Sequence, residues 1–177
     1  NFTYDAANRI KTAQYTVPTN SVHNGRYNLG YINYDANGNI TTLQRVNQQN
    51  SNIWALVDNL AYTYQNNSNK LIGVEDYQGV TTYLSKDFKD NNTAYYSYDA
   101  NGNLTVNGDK EITSITYNHL NLPLTITFSG TNKKIDYWYD AQGVKLRQVN
   151  TDGATVKTLD YLGELVFENN AISYVLH

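Results

Sequence analysis

The sequence predicts an all-β fold, and three observations predict it. Tyr, of which there are 17, and Thr favour strands and are in excess. Asn and Gly favour turns and are plentiful, while Ala, Leu, Glu and Lys, which build helices, are scarce. Finally, an apolar residue two positions before a Tyr recurs along the whole chain: Phe2/Tyr4, Ile32/Tyr34, Tyr62/Tyr64, Tyr96/Tyr98, Ile115/Tyr117, Tyr137/Tyr139 and Leu159/Tyr161. Successive second tyrosines, at 4, 34, 64, 98, 117, 139 and 161, are 30, 30, 34, 19, 22 and 22 residues apart.

Each repeat begins with a strand. Spacing i, i+2 puts both rings on one face, and polar residues such as Asn33 and Asp35 alternate with them. A turn follows. The residue after the Tyr is Asp5, Asp35, Asp99 or Asp140, with Gln65 and Asn118 as variants. Four positions after the Tyr stand Gly38, Gly102 and Gly143, or Asn8 and Asn121. Gly and Asn are the residues that most readily accept positive φ, so this column predicts a left-handed turn position. The Asp side chain can close the turn on backbone amides just ahead, and Asn37-Gly38 and Asn101-Gly102 are hairpin signals. An outgoing strand is then expected at Ile10, at Ile40-Thr41-Thr42-Leu43 and at Leu104-Thr105-Val106.

The third repeat, 64–71, has a longer polar turn, and the seventh, Tyr161-Leu162-Gly163-Glu164, departs most from the pattern and reads as the end of the array. Between repeats, 17–26 and 86–93 read as loops, and 53–60 as a strand or one short helix. No linker divides the chain, so residues 1–177 are expected to form one repeat array, a fragment of something longer, because such units are stable only when stacked.

Several function classes are excluded or disfavoured. A net charge of -3, with Lys133-Lys134 the nearest approach to a basic run, argues against a nucleic-acid surface. No apolar stretch approaches the roughly 18 residues of a membrane span, and Asn1-Phe2-Thr3-Tyr4 resembles neither a charged leader nor an apolar signal. Absence of Cys removes disulfides, thiolate metal sites and cysteine nucleophiles, and together with the absence of Met it suits a secreted or cell-surface setting.

At Tyr34-Asp35-Ala36-Asn37-Gly38-Asn39-Ile40 and Tyr98-Asp99-Ala100-Asn101-Gly102-Asn103-Leu104 the chain is similar to the YD repeat of Rhs proteins, which also occurs in toxin-complex cocoons and teneurins. The resemblance extends to 58–64, to 115–123 with its Asn-Leu-Pro, and to 139–146, and it is closest to bacterial Rhs proteins just upstream of their associated core. It implies β-hairpins coiled into a spiralling sheet that forms part of a hollow shell around a C-terminal toxin or effector, as in polymorphic toxins. The core with its aspartate-based self-cleavage site would lie beyond His177, so no catalytic aspartate is carried over.

Competing chemistry is weaker. Asp35-Ala36-Asn37-Gly38-Asn39 has a superficial likeness to a calcium loop, but lacks its Gly at position six and Glu at twelve. His23, His119 and His177 share no metal-ligand spacing. Asp136 with Asp140, or Glu164 with Glu168, could be imagined as a glycosidase pair, but any chain with 16 acidic residues offers such pairs. Nucleophile elbows and phosphate loops are missing.

The expectation is therefore a non-enzymatic structural wall with no catalytic, cofactor or metal site. Its structural turn residues are Asp5, Asp35, Gly38, Asp99, Gly102, Asp140 and Gly143, and its repeat aromatics Tyr4, Tyr34, Tyr64, Tyr98, Tyr117, Tyr139 and Tyr161. Its partners would be the rest of its own shell and an enclosed C-terminal cargo. The alternative is a secreted YD-repeat module that binds glycan or a surface receptor through Tyr15, Tyr27, Tyr31, Tyr77 and Tyr83, which lie outside the paired column. A glycan-cleaving β-solenoid enzyme is a distant third.

Overall fold

A computed structural model describes residues 1–50, 52–78, 88–90 and 95–175. The chain is all-β, and its strands gather into two compact units, Asn1–Ala94 and Tyr95–His177. In the first unit β1 (Phe2–Tyr4), β2 (Ile10–Ala13), β3 (Leu29–Tyr34), β4 (Ile40–Asn50), β5 (Ile53–Tyr64) and β6 (Leu71–Asp76) form one sheet in chain order. The second unit holds β7 (Tyr96–Tyr98), β8 (Leu104–Asn107), β9 (Ile112–Tyr117), β10 (Pro123–Phe128) and β11 (Lys133–Tyr139). It continues through β12 (Lys145–Asp152), β13 (Thr155–Leu162), β14 (Leu165–Glu168) and β15 (Ala171–Val175), again in chain order. Every pairing is antiparallel between sequence neighbours, so each sheet is a meander built from local hairpins.

The only helical pieces among the described residues are the 3-10 turns Ser21–His23 and Gly108–Lys110, and no helix is long and apolar enough to cross a membrane. The segment 53–60 is strand, the start of β5, while 17–26 contains no strand. Of the loop expected over 86–93 only 88–90 is described, and Tyr83 and His177 also lie outside the described residues.

Five of the seven tyrosine pairs sit as period-2 alternation requires. Ile32 and Ile115 are buried, Tyr34, Tyr62, Tyr64, Tyr96, Tyr98, Tyr117, Tyr137 and Tyr139 are half-buried, and the residues between the pairs, Asn33, Thr63, Ser97, Thr116 and Trp138, are exposed. Phe2 and Tyr4, on the edge strand β1, are exposed.

The core is thin. Among the described residues its buried apolar members are Ile32, Val57, Leu60 and Val74 in the first unit and Ile115 and Val166 in the second. It is supplemented by carboxylates held in place by hydrogen bonds, as buried charge requires. Asp58, 1% exposed, stands opposite Arg45 on β4, pairs with its guanidinium and accepts the Phe88 N–H at 2.8 Å. Asp76 accepts from the backbones of Asn59 and Gln78, and its own N–H reaches Asp90. These bonds tie segment 88–90 to β5 and β6. In the second unit buried Asp109 accepts the Tyr96 hydroxyl.

Candidate functional site

The repeated turn has one construction in five of the seven repeats. In the second, Gly38 N–H donates to the Asp35 carbonyl at 3.1 Å and Asp35 N–H to the Asn39 carbonyl at 2.9 Å. Asp35 Oδ1 accepts from the amides of Asn37 and Asn39 at 2.9 and 2.8 Å, while Oδ2 takes the Asn39 side-chain amide at 2.8 Å. Gly38 has φ 88°. This is a three-residue hairpin loop whose last residue is left-handed, and a register shift beside Tyr34 places that Tyr opposite Ile40. Asp99 with Gly102 (φ 87°) repeats every one of these bonds. Asp140 with Gly143 (φ 85°) and Asp5 with Asn8 (φ 59°) keep both carboxylate-to-amide bonds. Asn118 with Asn121 (φ 58°) substitutes an amide oxygen for the carboxylate. The third turn is longer, closed by Gln65 and Lys70 with Asn67 left-handed at φ 56°, and the seventh is a tight connection at Gly163 that leaves Tyr161 inside β13.

The donors around the carboxylates set their acidity. Side-chain and backbone donors from Asn39 and Asn103 hold Asp35 and Asp99 below the usual carboxylate range, and the Arg9 backbone and guanidinium do the same for Asp5. A lowered folded-state pKa means that the ionised turns stabilise the fold above the ordinary carboxylate pKa. That contribution fades as pH falls through the lowered value.

Within each unit the turns stack. Arg9 donates to the Asp35 carbonyl and lies over the Tyr34 ring, 4.4 Å from its centroid. Asn37 and Asn39 both donate to Asn69, as Asn101 and Asn103 both donate to Asn121. Behind the turns runs a tyrosine ladder. Tyr34 donates its hydroxyl to the Ile10 carbonyl, Tyr64 to Ile40, Tyr117 to Leu104 and Tyr139 to Pro123, at 2.7, 2.9, 2.6 and 3.0 Å. Each acceptor is the residue paired across the hairpin with the preceding tyrosine, at the bulge where the ladder of backbone bonds is interrupted. Partial burial raises the phenol pKa of Tyr64, Tyr98, Tyr117 and Tyr139 above the ordinary value. At the last repeat the device changes, and Tyr161 instead presents its ring to Lys145, 4.4 Å away.

Tyr117→Phe is expected to lower stability by about 1 kcal/mol, the cost of leaving the Leu104 carbonyl without that donor. Tyr161→Phe, whose hydroxyl has no such partner among the described residues, should leave the urea midpoint unchanged. Equal losses in the two would contradict the ladder.

Three of the four acidic residues considered as glycosidase pairs are engaged in structural bonds. Asp136 accepts from Thr125 and pairs with Lys134, Asp140 closes its turn, and Glu168 pairs with Lys157. His23 lies in the 3-10 turn and His119 at an exposed turn position. Tyr15, Tyr27, Tyr31 and Tyr77 are exposed, and Tyr15, Tyr27 and Trp54 form an edge-to-face chain with ring separations of 5.3 and 4.5 Å. Tyr95 and Trp138 are exposed aromatics that the repeat pattern did not single out; Trp138, between paired Tyr137 and Tyr139, could have been assigned to the outer face by alternation.

Neither a family model nor a curated protein matches the chain. Among solved structures it is similar to the crystal structure of TcdB2-TccC3-TEV, with a TM-score of 0.57 at 18% identity over 97% of this chain. Crystal structures of TcdB2-TccC3 without hypervariable C-terminal region and of TcdB2-TccC3-Cdc42 align at TM-scores of 0.43 and 0.42, with 14% and 13% identity and 97% and 96% of this chain covered. The chain spans 8% of the first of these chains and 11% of the other two. At such identity the likeness is one of fold: the stacked hairpins share the backbone architecture of a segment of TcdB2-TccC3-TEV.

Proposed function

We propose that the chain is a non-enzymatic wall segment of an Rhs-type β-shell that encloses a C-terminal toxin or effector polypeptide, in a secreted or cell-surface protein. The observation that carries this reading is the regular stacking of turn on turn and tyrosine on carbonyl within each unit. Such a lattice extends a sheet one hairpin at a time without requiring a concentrated polar site. The YD resemblance and the fold shared with TcdB2-TccC3-TEV, a much longer chain, support it. The mechanism is geometric: a continuous wall hides strand edges and keeps proteases from the cargo. Neutral Asn, Thr and Gln, at 16% charged residues overall, suit a wall that neither grips an unfolded polypeptide nor drives its collapse.

Limited proteolysis of the full shell protein tests the proposal against a version whose wall is opened by deleting the repeats around Tyr98 and Tyr117. The C-terminal segment should survive digestion in the intact protein and be degraded in the opened one. Equal digestion in both would reject encapsulation.

A further inference from the structure

The backbone between β2 and β3 brings Tyr15 and Tyr27 edge to face. The Tyr15 N–H donates to Asn28 Oδ1 at 2.9 Å and its carbonyl accepts the Gly25 N–H, also at 2.9 Å. Residues on both sides of Tyr27 therefore hold the backbone of Tyr15, and the two rings meet at 86° with centroids 5.3 Å apart. That contact sets the rim of one ring against the face of the other. Tyr15 is 41% exposed and Tyr27 53%, and among the described residues neither hydroxyl has a hydrogen-bond partner. The second described pair of tyrosines in ring contact differs: Tyr137 and Tyr139 are stacked at 27° and 6.3 Å, both are half-buried, and the Tyr139 hydroxyl is bound to the Pro123 carbonyl.

The surroundings favour one-electron chemistry at Tyr15 and Tyr27. The chain has no Cys and no Met, the side chains that otherwise react first with oxidants. Trp54 touches Tyr27 at 4.5 Å, and the Arg26 guanidinium lies over its indole, 5.2 Å from the centroid. A cation over the ring opposes the positive charge that an oxidised indole carries. A tyrosine that loses an electron also loses its phenolic proton and ends neutral, so an oxidising equivalent that reaches this aromatic chain comes to rest on the tyrosines. The pair also spans the least joined part of the first sheet. There β2 and β3 share one register position, Ala13 against Leu29, and 17–26 contains no strand.

We propose that Tyr15 and Tyr27 form an oxidative cross-linking site, at which a haem peroxidase and hydrogen peroxide join the rings as dityrosine and staple the connection between β2 and β3. Each ring gives up one electron and its phenolic proton, and the two radicals couple in a new bond between Cε carbons ortho to the hydroxyls. The ortho hydrogens then pass through solvent to the oxygens as the phenols re-form, and the two electrons and two protons released reduce one peroxide to two waters. The site stands independently of the wall reading. Oxidation of the full chain with a haem peroxidase and limiting hydrogen peroxide, followed by isolation of the monomer, dityrosine fluorescence and peptide mapping, tests it. The dominant link should join residues 15 and 27, and closing that loop should raise the melting midpoint by at least about 5 °C. Tyr15→Phe and Tyr27→Phe should each remove the link while the midpoint of the unoxidised chain holds, because each deletes only a hydroxyl without a partner. Oxidation in urea, where the ring contact is lost, should spread the links over other tyrosines. Absence of the 15–27 link, an equal yield of it in urea, a link between Tyr137 and Tyr139 in its place, or a linked chain that melts no higher would each overturn the proposal.

Discussion

Asp58→Ala is expected to destabilise the first unit by about 3 kcal/mol, at the lower end of what removing one member of a buried ion pair costs. The carboxylate is 1% exposed, whereas the Arg45 side chain retains 39% exposure and can recover some hydration. Truncation withdraws the carboxylate from Arg45 and the acceptor from the Phe88 N–H, so two donors lose a partner at once. The paired change Arg45→Met with Asp58→Leu removes both charges, and it should recover most of the loss because well-packed apolar residues avoid the desolvation of the ions. Urea unfolding of the two variants beside the parent chain measures this. A loss below about 1 kcal/mol in Asp58→Ala would show that the pair is solvated like a surface bridge.

That buried aspartate also shows what the sequence concealed. The stretch Ile53-Trp54-Ala55-Leu56-Val57-Asp58-Asn59-Leu60 fits either a strand or a helix because its apolar residues do not alternate. The cause is a bulge: Arg45 faces Asp58 and Val46 faces Leu56, so Val57 is an extra residue, and Val57 and Asp58 are both buried in succession. The turns, by contrast, were legible because their chemistry is local. A carboxylate that reaches amides two and four residues ahead, and a left-handed position three ahead, restrict the residue types at fixed spacing. The tyrosine spacing exposed the strand faces but not the ladder, whose acceptors lie 24, 24, 13 and 16 residues earlier in the chain. No constant offset marks them, because the material between repeats varies in length. Tyr31 was distinguishable only as a tyrosine outside the paired column; its positive φ falls where the β3–β4 pairing skips from Gly30 to Asn33 and leaves no local signature.

Gly143→Val is expected to be comparably severe, at about 2–4 kcal/mol, for two reasons that other glycines separate. The first is backbone: at φ 85° a β-branched residue is an outlier, and the strain is about 1–3 kcal/mol. The second is space, since a Cβ built on Gly143 would stand 3.0 Å from Leu122 Cδ1 and 3.4 Å from Leu120 Cδ1, the side chains of the preceding turn. The two remaining carbons of Val add to that crowding, so Leu120 and Leu122 must shift or the turns must part. Gly163→Ala isolates the backbone contribution, because φ there is 59° with nothing within 4 Å of the added carbon; its cost should be about 1–2 kcal/mol. Gly38→Asn should be milder still. Asn tolerates the left-handed region, as Asn8 and Asn121 do at the same point of their own turns, and the nearest atom is Arg9 Nη1 at 3.9 Å. Denaturant midpoints should therefore fall in the order Gly38→Asn, Gly163→Ala, Gly143→Val from least to most affected. If Gly143→Val costs no more than Gly163→Ala, the neighbouring turns are not in close contact, and stacking through Leu120 and Leu122 contributes nothing to holding successive hairpins together.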